Sequence, residues 1–433
     1  MKNLSIVFLV LILFLFAPVL RAQLLEKCGT MHNHNEVQKS EPALKQSYSN
    51  VEAIARQWAE SHPTYKKAVA TIPVVFHVVH NTSIPEQNLA DSFLYSQLEV
   101  LNNDYRRTNA DTVNTRAEFD SLAADVEIEF CLANVDPTGN FTTGINRVTT
   151  TATDFAFTAF NNNVKSTANG GADPWPTDEY LNIWICDMYS GGSPLVLGYA
   201  QFPGGDPLTD GLVLTYQHTG YRPWDASADP ANLGRTASHE VGHYMGLRHI
   251  WGDGDCDSTD YVTDTPNASA ASQQICTLSN NTCNDPLTEP YWNGYDPPDM
   301  LENYMDYSTD ACMNMFTKGQ KDRMWSFLNT DRVSLLSSTK CDGLTGMEEV
   351  LSAKNVVIYP NPSSDMFTIE WPGEYQFERL EIVDVVGKTV LHKNITNVYA
   401  KYVVNTNAIS EGIYFVKLMN GNKVTTSKIM ITK

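Results

Sequence analysis

The stretch 236-TASHEVGHYMGLRHIW-251 packs three histidines, one glutamate and two glycines between His239 and His249. His239 and His243 are four apart, so on a helix they project from one face, one turn apart. Two neutral imidazoles placed in this way can share one Zn²⁺ at about 2.0–2.1 Å. Gly246 can take a positive φ, which lets the chain leave the helix abruptly. The turn then brings His249 round as a third ligand. Three protein ligands leave one position open, which suits a catalytic rather than a structural ion. Glu240 lies beside the pair, placed to take a proton from a water rather than to bind the metal.

Working outward, 232–246 reads as a helix stopped by Gly246. Upstream, 72–81 reads as a buried strand, and 126–135, 181–188 and 211–216 as further strand-like runs. An amphipathic helix spans about 87–106, with Leu94, Leu98 and Leu101 on one face, and an earlier helical stretch covers 49–62. Residues 247–316 are loop-rich and dense in Asp, Asn, Pro and Cys, and a helix at 317–330 closes the region. Strands alternating with helices, then long loops, indicate an α/β (α+β) domain with an irregular lower half. Residues 341–354 read as a linker. The short strands and turns at 356–363, 366–371, 379–393, 413–421 and 423–433 suggest an all-β sandwich.

The chain has 433 residues, enough for two globular domains with processed ends. Its net charge of −20 argues against a nucleic-acid partner. The acidity is uneven: residues 351–433 carry nine Lys+Arg and seven Asp+Glu, leaving −22 on the rest. The start, 1-MKNLSIVFLVLILFLFAPVLRAQ-23, has Lys2, an apolar run and Ala22 for cleavage, and reads as a secretory signal peptide over 1–22. No other segment is long and apolar enough to span a bilayer, so no transmembrane anchor is expected in the mature form. After export, most of the eight cysteines should pair. Cys256, Cys276, Cys283 and Cys312 allow three pairings. Cys131 and Cys186 lie on expected strands and can pair or stay as thiols; Cys28 can pair with Cys341. His77 and His80 read as structural, and His32 and His34 receive no role.

The pattern H-E-x-x-H-x-x-G-x-x-H is the metzincin signature. With 303-NYMDY-307 as the methionine turn, Met305 would floor the metal and Tyr307 would assist the transition state. Within metzincins, 72-IPVVFHVVHN-81, 181-LNIWICDM-188, 197-LGYAQFP-203, 239-HEVGHYMGLRH-249 and 260-DYVTDTP-266 make residues 25–340 resemble the pappalysin family. The resemblance implies a secreted zinc endopeptidase acting on proteins or peptides. It implies an α/β upper and a loop-rich lower subdomain (71–340), with the peptide pairing to an edge strand.

Four residue-level implications follow from that resemblance. Cys28, in a pro-segment over 23–70, would fill the open zinc position and hold the enzyme as a zymogen, with a thiolate well suited to zinc. Cys256–Cys283 and Cys276–Cys312 would pin the lower loops. Asp260, Asp264 and Thr265 would offer oxygens to Ca²⁺, although an Asp-rich turn has the same composition. Asp310 would favour Arg or Lys after the scissile bond, with Asp306 as a competitor. With Cys28 a metal ligand, one of the other seven cysteines is left over. Arg56, Lys66 and Lys67 mark the expected activation cleavage. Finally, 358-IYPNPS-363, 386-VGKTV-390 and 412-GIYFVKL-418 make 355–433 resemble the C-terminal sorting domain of type IX secretion. That resemblance implies a secretion machinery as partner, and release or attachment at the outer cell surface.

Overall fold

The computed structural model describes residues 26–342 and 356–432, apart from 64–67, 156–161, 191–192, 195, 226–229, 274–275, 286–291, 293, 372–376, 385–387, 397–399 and 421–422. The expected signal peptide, most of the linker and the Lys66–Lys67 pair lie outside the described residues. The chain divides into two compact units, Met1–Cys341 and Asp342–Lys433.

The first unit is organised by Ala70–Asn81, a strand with ten consecutive buried residues from Ile72 to Asn81. Burial on both faces explains its near-continuous apolar run. The sheet runs in the order Glu26–Cys28, Val196–Ala200, Leu212–Thr215, Leu181–Cys186, Ala70–Asn81, Ile128–Leu132. Ile145–Thr150 pairs with the distal half of Ala70–Asn81. Every pairing is parallel except Val196–Ala200 against Leu212–Thr215. One face of the sheet packs Ile183, Ile185, Leu212 and Leu214 against Ala237 and Val241 of the helix Arg235–Tyr244. The opposite face buries Trp184, Tyr199 and Val213.

The histidine helix is held at both ends by buried polar contacts. Near its start, Ser238 Oγ and Tyr304 OH donate to Asp104 at 2.6 and 2.8 Å, tying it to the helix Asp91–Tyr105. At its end, Arg332 donates both to the Tyr244 carbonyl (2.8 Å) and, through two nitrogens, to Asp210 (2.6 and 2.9 Å). Gly246 has φ +91°, and a Cβ there would lie 2.2 Å from the Phe327 ring. The helix therefore stops where the sequence predicts, for conformational and steric reasons together.

Three bridges are present: Cys256–Cys283, Cys276–Cys312 and Cys131–Cys341. The first two are those the resemblance implied. The third settles the cysteines left open: Cys131 does not pair with Cys186, nor Cys28 with Cys341, and Cys28 and Cys186 are buried free thiols. The bridge to Cys341 spans 210 residues, which local sequence has no means of signalling. Several elements also differ from expectation. The stretch 49–62 belongs to a longer helix, Pro42–Ser61, preceded by another at Thr30–Ser40. The run 379–393 is two strands, Arg379–Asp384 and Thr389–Asn394, and Lys401–Asn405 is a strand the alternation pattern did not reveal.

Among the described residues, the second unit forms two antiparallel sheets. Val357–Tyr359, Met366–Glu370 and Lys401–Asn405 form one sheet. Thr389–Asn394, Arg379–Asp384, Gly412–Asn420 and Lys423–Ile431 form the other. Phe367, Ile369, Leu380, Ile382, Val416 and Leu418 fill the core, alternating with outward residues as sandwich strands do. Among the described residues, no helix is long and apolar enough to cross a membrane.

Candidate active site

His239, His243 and His249 are fully buried, and the Nε2 of His243 lies 3.1 Å from the Nε2 of each of the others. Each Nδ1 is committed elsewhere. His239 Nδ1 donates to the Tyr304 carbonyl at 2.7 Å, His243 Nδ1 to the Leu247 carbonyl at 2.8 Å, and His249 Nδ1 to Asp253. Carbonyl and carboxylate oxygens only accept, so these bonds place the hydrogens on Nδ1 and leave three Nε2 lone pairs facing one point. Burial, then neighbouring imidazoles, hold His239 and His243 well below the usual histidine range, so they stay neutral. Three converging lone pairs in a dry site repel each other unless a cation lies between them. The donor set fits zinc, and the structure itself supplies a fourth donor: Cys28 Sγ, with all four ligand atoms within 4.8 Å of one another.

Met305 is fully buried, with its sulfur close to Gly242 of the histidine helix. Its fit depends on Gly242: a Cβ there would come 2.4 Å from the Met305 sulfur. Glu240 is also fully buried, and Thr30 Oγ1 donates to its Oε2 at 2.9 Å. Among the described residues its Oε1 has no nitrogen or oxygen partner, and the Cys28 thiol sits against the carboxyl. Burial pushes the Glu240 acid up to about 8, only partly offset by Cys28, Thr30 and the Lys27 and Lys165 charges. Gly198 on the neighbouring strand makes room for it, since a Cβ there would meet Glu240 Cγ at 2.9 Å.

The segment around Cys28 fills the cleft. Glu26–Cys28 adds to the edge strand Val196–Ala200 in parallel, and the Gly29 amide donates to the Gly198 carbonyl at 2.9 Å. Thr30 Oγ1 accepts from the Ala200 amide at 2.7 Å. Tyr307 OH donates to the Cys28 carbonyl at 3.0 Å. Lys27 is almost fully buried and pairs with Asp310 at 3.3 Å, while also donating to the Ser308 carbonyl at 3.1 Å. Asp310 in turn accepts from the amides of Leu233 and Arg235 at 3.0 and 3.2 Å. Its competitor Asp306 accepts from the Ser272 amide at 3.3 Å.

Asp260, Asp264 and Thr265 lie outside this centre, all buried. Asp260 accepts from the Val262 amide and the Thr265 hydroxyl, and Asp264 from Thr317 Oγ1 and the Gly319 amide. Their oxygens thus hold the turn and the helix Lys318–Leu328 in place. Sequence reading missed four residues here: Lys27, Thr30, Asp253 and Gly198. Asp253 had a usable signal, an acid four residues after the last histidine; Lys27 had only its place beside Cys28.

Residues 165–329 match the model of the pregnancy-associated plasma protein-A family, and residues 357–432 that of the secretion-system C-terminal sorting domain. An extracellular metalloprotease of Pyricularia oryzae is 32% identical over 285 residues, covering 64% of this chain and 82% of the relative. One of Sordaria macrospora is 30% identical over 275 residues, covering 62% and 78%. Among solved structures, a promirolysin mutant of Tannerella forsythia is 40% identical with TM-score 0.62, covering 74% of this chain and 99% of that one. Mature mirolysin with a cleaved peptide is 42% identical with TM-score 0.56, covering 64% and 99%. The buried triad of neutral imidazoles and these relatives lead to one conclusion: the chain belongs to the pregnancy-associated plasma protein-A family and is a secreted zinc metalloprotease bearing a type IX sorting domain.

Proposed function

We propose that this protease is made latent, with residues 23–70 as an inhibitory pro-segment, and that the active enzyme cuts before Arg or Lys. The observation that carries the reading is the paired insertion of adjacent residues: Cys28 Sγ into the histidine cluster and Lys27 Nζ onto Asp310. A cation at Asp310 is what a substrate Arg or Lys would supply, and Arg could bind its carboxylate with two nitrogens. Asp310 is fully buried, so a basic partner is needed to offset its desolvation.

His239, His243 and His249 would hold zinc, which supplies Lewis acidity toward a peptide carbonyl and makes water easier to deprotonate. Departure of Cys28 and Thr30 would free both sides of the Glu240 carboxyl and let water in. Solvation then favours the carboxylate, and Glu240 takes a proton from water and later delivers it to the leaving amine. Tyr307, whose hydroxyl now donates to the Cys28 carbonyl, would donate to the substrate's carbonyl oxygen as charge develops there. The edge strand Val196–Ala200, released from Glu26–Cys28, would pair with the peptide. Arg56 is exposed within the helix Pro42–Ser61 and remains a candidate cleavage position beside Lys66 and Lys67.

A calcium ion at Asp260, Asp264 and Thr265 forms part of the same reading. Burial raises both carboxyls, Asp260 to about 7, a penalty that a divalent cation would reverse. The test of latency compares peptide cleavage by the zinc-loaded full chain before and after limited proteolysis. Cleavage that rises on nicking and falls before Arg and Lys is expected; a full chain that is equally active beforehand contradicts the proposal.

A further inference from the structure

Two arginines beside the cleft take no part in the hydrolysis just described. Arg248 and Arg323 line one cavity of about 230 Å³, together with Phe202 and Tyr261 and, from the N-terminal helices, His34 and Glu52. Both guanidiniums are positioned by residues outside the N-terminal helices. Arg248 stacks 4.4 Å above the Phe202 ring, while Arg323 donates to the Gly246 carbonyl at 2.9 Å and lies over Tyr261. Glu52 meets Arg323 through two bonds of 2.9 and 2.8 Å. Arg248 instead donates to the sulfur of Met31 at 3.2 Å, and among the described residues no carboxylate closes an ion pair with it.

Both of these partners, Glu52 and Met31, belong to the segment that activation would remove. Two fixed cations would then face an open cavity in which a carboxylate is already the bound group.

We propose that Arg248, backed by Arg323, binds an acidic side chain of the substrate about two or three residues before the scissile bond. The inference rests on the latency reading above. Its direction comes from the path of the inhibitory segment. Lys27 occupies the Asp310 pocket on one side of Cys28, and Met31 reaches Arg248 on the other. If the Asp310 pocket takes the residue after the cut, Arg248 serves residues before it. A substrate with Asp or Glu upstream and Arg or Lys immediately after the cut would satisfy both sites.

The test uses the zinc-loaded full chain, matured by limited proteolysis with the activating protease then inhibited, on a peptide mixture. Acidic residues should be enriched two or three positions before the cut. For matched peptides, Glu should raise kcat/KM over Ala roughly tenfold, mainly through KM. Arg248→Gln should erase that ratio while keeping the basic preference after the cut. Arg248→Glu should invert it, favouring Lys or Arg upstream, whereas a folding defect would lower all cleavages alike. Equal rates for Glu and Ala peptides, in an enzyme that nicking does activate, overturn this subsite and leave latency standing. Full activity before nicking overturns both.

Discussion

The two units solve burial in opposite ways. In the C-terminal sandwich the buried polar residues among those described are Ser363, Thr406 and Thr425, none of them ionisable. In the N-terminal unit His239, His243, His249, Glu240, Asp310, Lys27, Arg235, Asp104 and Arg332 are all buried. Burying an ionisable group is expensive unless it is paired, so the second arrangement persists only where the groups are matched or used. A sorting domain has to fold and be recognised, and an apolar core suffices for that. A hydrolytic centre has to hold neutral imidazoles and a carboxyl in a dry space, and the fold around it must supply partners for each.

This contrast can be tested, most strongly at Glu240. Glu240→Gln should lower kcat by about 10²–10⁴-fold in the activated enzyme. The melting temperature should hold or rise, because a raised buried acid is removed; a fall in stability matching the fall in activity would make Glu240 a structural residue. Next comes the Lys27–Asp310 pair. Lys27→Ala leaves a buried carboxylate without its ion-pair partner and should weaken docking of the inhibitory segment by about 3–5 kcal/mol. Activity of the un-nicked full chain would report that change, and unchanged latency would sink the pairing as a latch.

Acid should have a related, graded effect through His34. Its ring packs against Tyr48 and Phe202, and its Nδ1 has no hydrogen-bond partner among the described residues. Burial, then the Arg248 charge, lowers it to about 3, with Asp253 opposing. A histidine whose folded value is depressed contributes docking that is complete above about 6.5 and lost as pH falls towards 3. Full-chain latency should therefore weaken by up to about tenfold per pH unit below 6.5. His34→Phe, which keeps the ring packing, should flatten that profile.

In the sandwich the same kind of experiment should touch stability alone. Leu418→Ala should cost that unit about 2–5 kcal/mol with no change in kcat/KM. The smallest effect belongs to the Gly242–Met305 contact. Gly242→Ala forces Met305 to move and should cost about 1–3 kcal/mol. A differential scan resolves both, and a shift of the sandwich transition by Gly242→Ala would contradict the separation.

Much of the centre was legible because its code is local. His239, Glu240, His243, Gly246 and His249 lie within eleven residues; helix geometry aligns the first two histidines, and the turn at Gly246 returns the third. The long apolar run 72–81 announced a strand buried on both faces, and the switch to short alternating strands after 355 announced a second fold. Tertiary structure alone decided the rest. Lys27 meets Asp310 across 283 positions, Cys131 meets Cys341 across 210, and Thr30 meets Glu240 across 210. No periodicity links such pairs. They are brought together by a mostly parallel sheet whose edge accepts an N-terminal strand, and by buried charges that each require a partner wherever in the chain it lies.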